Sequence, residues 1–419
     1  MDTADRPSNV RSDNPTRANL SIFGPGLVSA ASNNDPTTVA TLAVIGATTG
    51  YELCWLVVLV VPMLAVVQAL AAGVGVVCKT SLQGAIRREF GLNWAIVTLC
   101  AVAAVNVMTL AADVKAGSEA ISLFTHVQAG YFILPFVLVV GAMLLSHSYG
   151  KIERYLSLLP ILFVCYAGSA ILAHIDIKAL LAGVFVPHFR VAPLYAFGAL
   201  ALLGTTLTSY VYIWESVEVA ERRSEDASFH RFTRGAAYGM LSVGVIFVFI
   251  LIASAATLGK HHQTVATAND MAAALVPLAG PWASTLFGIG LLGSAVLAVP
   301  VLAGTTAYVA AHTFGWDGSL DRSFRDAKPF YGVLLASLAV AAVAAFAPVS
   351  PVALLLWASI AGGLATPLTL AFLALIAGNR KLMGPYRMSR PLAVGAWAIT
   401  GVVVAASLAF LLLSLPKFS

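Results

Sequence analysis

The chain has 419 residues, of which 59 % are hydrophobic and only 10 % charged, and its mean hydropathy is +0.88. A soluble domain carries about 25 % charged residues, so this composition excludes a soluble enzyme or binding module and sets much of the apolar surface against lipid. The net charge of +5 does not indicate a nucleic-acid partner, because the basic residues sit almost wholly between apolar stretches.

Residues 1–19 are polar, with Arg6, Arg11 and Arg17 among Asp2, Asp5 and Asp13, and predict a disordered tail rather than a cleaved signal. Residues 20–419 predict one all-α integral membrane domain. Its eleven expected spans are 20–47, 51–77, 93–124, 129–147, 151–173, 193–222, 231–258, 282–312, 330–347, 350–377 and 391–414. The longer ones can cross a hydrocarbon core about 30 Å thick. The segment 263–280, with Thr264, Asn269 and Asp270, predicts an amphipathic helix outside the core.

Placing the N-terminus in the cytoplasm puts 19 Lys and Arg residues in inner segments against 4 in outer ones, with Lys115 inside a span. Basic residues concentrate on the cytoplasmic side, so a multi-pass protein of the cell (inner) membrane is expected, with its C-terminus outside. Cys54, Cys78, Cys100 and Cys165 lie in or beside apolar segments without metal-ligand spacing.

Two spans are interrupted at mid-depth. The first reads Ser32-Asn33-Asn34-Asp35-Pro36-Thr37-Thr38 between apolar stretches. Proline removes a backbone donor and disfavours helix in the residue before it. A simple kink needs no charge, whereas an intramembrane carboxylate is costly and marks a site. The sixth span reads Gly204-Thr205-Thr206-Leu207-Thr208-Ser209-Tyr210-Val211-Tyr212-Ile213-Trp214-Glu215, rich in hydroxyls but without proline. Broken helices at matching positions of two inverted halves point to a transporter's central site.

At these residues the chain resembles the Nramp family of divalent metal transporters, which share the LeuT fold. The resemblance rests on Gly24-Pro25-Gly26 before the Asp-Pro break, Gly50-Tyr51 and Trp55, Ala112-Asp113, the Gly-Thr-Thr before the sixth-span break, and Pro300-Val301-Leu302-Ala303-Gly304. It implies two inverted five-helix repeats, about 20–173 and 193–377, plus an extra helix at 391–414. The family's Asp-Pro-Gly-Asn is here Asp35-Pro36-Thr37-Thr38, and its Met-Pro-His is Thr208-Ser209-Tyr210. The soft thioether and the histidine linked to proton movement are both replaced, and the tenth span lacks the family's amide.

Carboxylate, hydroxyl, carbonyl and water are hard ligands that suit magnesium, calcium or manganese. The chain therefore looks closer to the magnesium-transporting relatives of the family. The expected substrate-contacting residues are Asp35, Asn34, Thr38, Thr205, Thr208 and Tyr210, with Asp35, Thr38 and Thr208 on the metal. An alternative is a small organic solute or cation held by Asp35 and the aromatic rings; a transport-dead sensor is a third reading. Asp113, Lys115 and Glu119 in the third span are expected to serve coupling or gating. Lys115 stands in for a missing positive partner, and Lys115 and Glu119 share a face. Glu215 and Glu218 are expected in a solvated inner vestibule or paired with Arg222. No phosphate-binding loop, nucleotide domain or cofactor motif is legible, so the expected partners are the solute and the bilayer, without ATP or nucleic acid.

Overall fold

The computed structural model describes residues 30–146, 159–221, 229–261 and 265–414. Among these, eight helical stretches are long and apolar enough to cross a membrane, and two shorter apolar helices cover Gly130–Leu145 and Leu162–Leu172. Pro36–Thr49 is the described half of the interrupted first span. Each of the eleven expected spans thus has its helix, although residues 20–29, 147, 151–158 and 222, in four of them, fall outside the described residues.

In chain order the helices are α1 (Pro36–Thr49), α2 (Cys54–Cys78), α3 (Leu82–Phe90), α4 (Leu92–Thr125), α5 (Gly130–Leu145), α6 (Cys165–Leu172) and α7 (Ile177–Phe185). There follow α8 (Pro193–Thr206), α9 (Ser209–Glu221), α10 (Phe229–Thr257), α11 (Ala283–Phe314), α12 (Lys328–Ala345), α13 (Pro351–Gly378) and α14 (Arg390–Ser414). The pattern of spans does not anticipate α3 and α7. The first is capped by Ser81, whose hydroxyl accepts from Gly84 N at 3.1 Å, and it buries Leu82, Ala85 and Ile86 while Arg88 stays outward.

The amphipathic helix expected at 263–280 is not continuous. Residues 262–264 lie outside the described residues, and the rest forms short turns at Ala268–Ala272, Ala273–Leu275, Val276–Ala279 and Gly280–Trp282. Pro277, Gly280 and Pro281 explain this, because proline cannot donate within a helix and Gly280 adopts φ +52°.

α1 is wrapped by α10, α13 and α8, while α4 packs along α11 and is covered by α12, α13 and α5. α14 lies on the outside against α13 and α8. Close approaches fix the inner contacts: a Cβ on Gly46 of α1 would stand 2.6 Å from Leu251 O of α10. Small residues at such crossings let backbones meet without a solvophobic drive between helices.

Candidate substrate site at the two helix breaks

The first break is built by its own sequence. Residues 30–32 are helical, Asn33 to Asp35 leave the helix, and α1 restarts with Pro36 in its first turn. Asp35 is the N-cap of α1, its Oδ1 accepting from Thr38 N at 2.7 Å. Aspartate at the cap and proline just inside it are each favoured there, since the first amides have no helical partner. The positive end of α1 therefore faces the Asp35 carboxylate.

In the sixth span α8 ends at Thr206, Leu207 and Thr208 are non-helical, and α9 starts at Ser209. This break survives without proline because side chains from other helices take up the freed carbonyls. Asn33 Nδ2 donates to Thr206 O (3.2 Å), Thr38 Oγ1 reaches Thr205 O (3.4 Å), and Thr366 Oγ1 of α13 reaches Leu207 O (3.4 Å). Irregular backbone at membrane depth persists when protein satisfies it in this way.

The two breaks meet. Tyr210 OH lies 2.9 Å from both Ser32 O and Asp35 Oδ2, and the hydroxyls of Thr38 and Thr205 are 2.9 Å apart. Asp113 of α4 joins them, its Oδ1 accepting from Thr37 Oγ1 at 2.7 Å, and Ser294 Oγ of α11 donates to Asn34 O. Asp35, Asn34, Thr38, Thr205, Thr208, Tyr210 and Asp113 are all buried. The acceptors outnumber the donors. Asn33 Oδ1, Asn34 Oδ1 and Asp113 Oδ2 are buried without a hydrogen-bond partner among the described residues. A buried acceptor left unpaired is costly, and a cation or water supplies what these oxygens lack.

Lys115 and Glu119, expected to serve coupling or gating, do not reach this cluster. Lys115 Nζ donates to Ala347 O and Val349 O at 2.7 Å, and Glu119 Oε2 accepts from Ala268 N at 3.2 Å. Each reaches a loop backbone instead of the other side chain. The reason is helical geometry: two residues from Asp113, Lys115 is rotated about 200° around α4. Glu215 likewise is not in a solvated vestibule; it is buried in α9 and accepts from Gln68 Nε2 at 3.1 Å, whereas Glu218 is half-buried and Arg222 lies outside the described residues.

Other residues of the site were not singled out from the sequence. Asn33, Thr37 and Ser294 belong to it, as do three hydroxyls of α13: Ser359, Thr366 and Thr369. Thr41 Oγ1 and Ser359 Oγ are 2.7 Å apart, and Tyr212 OH bonds Thr369 Oγ1. The available signal was hydroxyls within an apolar span that also carries Gly362, Gly363 and Pro367 in its interior. Among the described residues no three His, Cys, Asp or Glu side chains gather at one point, so a cation here would rest on one or two carboxylates and neutral oxygens.

A multi-pass helical membrane protein whose two discontinuous helices meet at a buried polar centre has the architecture of a secondary transporter. The profile of the family described as Natural resistance-associated macrophage protein-like, Nramp, matches residues 26–413, and the chain belongs to that family. It is 26 % identical over 410 residues to the divalent metal cation transporter MntH of Deinococcus radiodurans, covering 92 % of this chain and 88 % of that one. The MntH of Xylella fastidiosa is also 26 % identical, over 405 residues, covering 92 % and 83 %.

Among solved structures the fold is similar to that of the Eremococcus coleocola manganese transporter, with a TM-score of 0.72 at 17 % identity over 95 % of this chain and 87 % of that one. Mhp1, a nucleobase-cation-symport-1 family transporter, gives a TM-score of 0.60 at 16 % identity, covering 94 % and 91 %. The fold is the LeuT type that the family resemblance implied.

Proposed function

We propose that this protein carries a hard divalent cation, of the Mn2+ or Mg2+ class, across the cell membrane by alternating access around the junction of the two breaks. The observation that carries this reading is the cluster of buried oxygens there, the Asp35 and Asp113 carboxylates and the Asn33 and Asn34 amides, of which Asn33 Oδ1, Asn34 Oδ1 and Asp113 Oδ2 have no hydrogen-bond partner among the described residues. Half-helix C-termini and unwound carbonyls attract cations. The donors are all oxygen, and magnesium in particular is held through one or two carboxylates while keeping several waters. The relatives, named for divalent metals and manganese, support the cation class; magnesium rests on the donor set alone. The organic-solute reading is not favoured, because the relatives are named for divalent metal cations and manganese. With the basic loops inside, the N-terminus is cytoplasmic, and the halves beginning at the two breaks move against each other.

Direct binding to purified protein tests the ion class. Thr208 lies in the link between α8 and α9, where methionine would introduce a soft thioether. In Thr208→Met, cadmium affinity is expected to rise about tenfold relative to magnesium, as one added soft contact implies. Wild-type protein that already prefers cadmium to magnesium refutes the hard-site reading, and the absence of any divalent binding refutes the cation reading.

Proton coupling is expected to be weak. Tyr210, whose phenol keeps its proton at neutral pH, stands in the sixth-span motif, and no arginine lies in α12. The membrane potential then drives uptake, at about 2.3 kcal/mol per charge per 100 mV. In proteoliposomes holding a pH dye, substrate addition should leave the interior pH steady. Acidification that disappears in Asp113→Asn would overturn this and make Asp113 the proton carrier.

A further inference from the structure

A cavity lies away from the breaks, on the lipid side of the bundle. It encloses about 610 Å³ between α2, α8 and α14. Its walls are apolar, with Leu56 and Leu59 from α2, Ala199 and Leu203 from α8, and Ala406 and Leu413 from α14. Its mouth has a different character. There Arg190 stands beside Trp55 and Tyr195. Trp55 Nε1 donates to Tyr195 OH at 3.2 Å, Tyr195 OH donates to His188 O, and the Trp55 and Phe189 rings are 5.2 Å apart. Tryptophan and tyrosine with a polar end bonded are the side chains of the headgroup level.

What surrounds this mouth is legible from exposure. Phe185 is 74 % exposed, Phe189 77 % and Val191 89 %. In a protein of this class such side chains lie in lipid, not water. The groove therefore opens to acyl chains along its length and to headgroups at one end. The cation at that end is Arg190, which uses Nη2 on Glu52 Oε1 at 2.8 Å and keeps a side chain 65 % exposed. The guanidinium fork has five N–H donors, so the others remain for an anion, and arginine binds phosphate oxygens in pairs.

We propose that this groove is a binding site for an anionic phospholipid, one acyl chain filling the cavity between α2, α8 and α14 and the phosphate resting on Arg190. The site has a route to the transport centre. Ala199 and Leu203 face the lipid groove, while Thr205, two residues on and on the opposite side of the same helix, bonds Thr38 at the break. A lipid wedged between α8 and α14 lies against the half-helix that supplies the sixth-span carbonyls.

The test is photolabelling of the full-length protein in vesicles with a phosphatidylglycerol analogue carrying a diazirine in its acyl chain, read by peptide mapping. Labels are expected on α2, α8 and α14 around the groove. Ala406→Trp, which fills the cavity, should abolish them. Arg190→Gln should lower labelling about tenfold, the loss of a charge-assisted bond, and a phosphatidylcholine analogue should label the wild type less. Thermal unfolding of both variants checks that they fold. Even labelling around the whole bundle, or groove labelling unchanged in Ala406→Trp, overturns the site. Equal labelling by both lipids that ignores Arg190→Gln overturns its anionic selectivity. Cross-links joining α14 of two copies through the groove would assign it to self-association instead.

Discussion

Asp35→Asn is expected to abolish cation uptake and to lower divalent-cation affinity more than a hundredfold while the protein still folds. The folding half of this expectation comes from the cap. Asparagine caps a helix about as well as aspartate, so the Thr38 amide keeps its partner and α1 still begins at Pro36. Tyr210 OH retains an acceptor in the amide oxygen or in Ser32 O. What disappears is the full negative charge at the break. Removing one partner of a buried charge pair costs about 3–5 kcal/mol, which exceeds a hundredfold in affinity at 1.4 kcal/mol per decade. Isothermal titration on purified protein, with uptake into proteoliposomes, measures it. A variant that binds and transports like the wild type removes Asp35 from the site.

Gly204→Ala is expected to prevent assembly of the site rather than to adjust it. A Cβ at this position would lie 2.0 Å from Ser359 O and 2.3 Å from Gly363 N, both backbone atoms of α13. No rotamer relieves a clash between two backbones. Overpacking in a close-packed interior costs about 1–3 kcal/mol when side chains can shift, and here the helices themselves must separate. That separation carries Thr205 away from Thr38 and Leu207 O away from Thr366. The yield of monodisperse protein after detergent extraction should fall steeply, and the remainder should unfold at lower temperature. Native yield, native melting and native cation binding together would show that α8 and α13 are free to move apart.

These two positions differ in how they could be recognised. Asp35 is conspicuous in the sequence, because a carboxylate followed by proline inside an apolar span is rare and expensive. Gly204 is one glycine among 34, and only the crossing of α8 with α13 gives it a role. The same division runs through the third span. Asp113, Lys115 and Glu119 look alike as intramembrane charges, yet the turn of α4 sends Asp113 to Thr37 and the other two to loop backbones.

The sequence by itself determined the spans, the first break and the oxygen-bearing residue types placed at the breaks. Each of these is local: apolar length sets a span, proline and its N-cap set a break, and residue type sets the donor atom. The tertiary structure alone decided how the sixth span opens, since no residue at Leu207–Thr208 breaks a helix unaided. The opening holds because Asn33, Thr38 and Thr366, from elements 159 or more residues away, satisfy its carbonyls. It also decided that α13 lends hydroxyls to the site and that α2, α8 and α14 leave a groove between them. Hydrogen bonds and cavities between distant helices depend on how the helices cross, and a one-dimensional pattern of polarity does not carry that information.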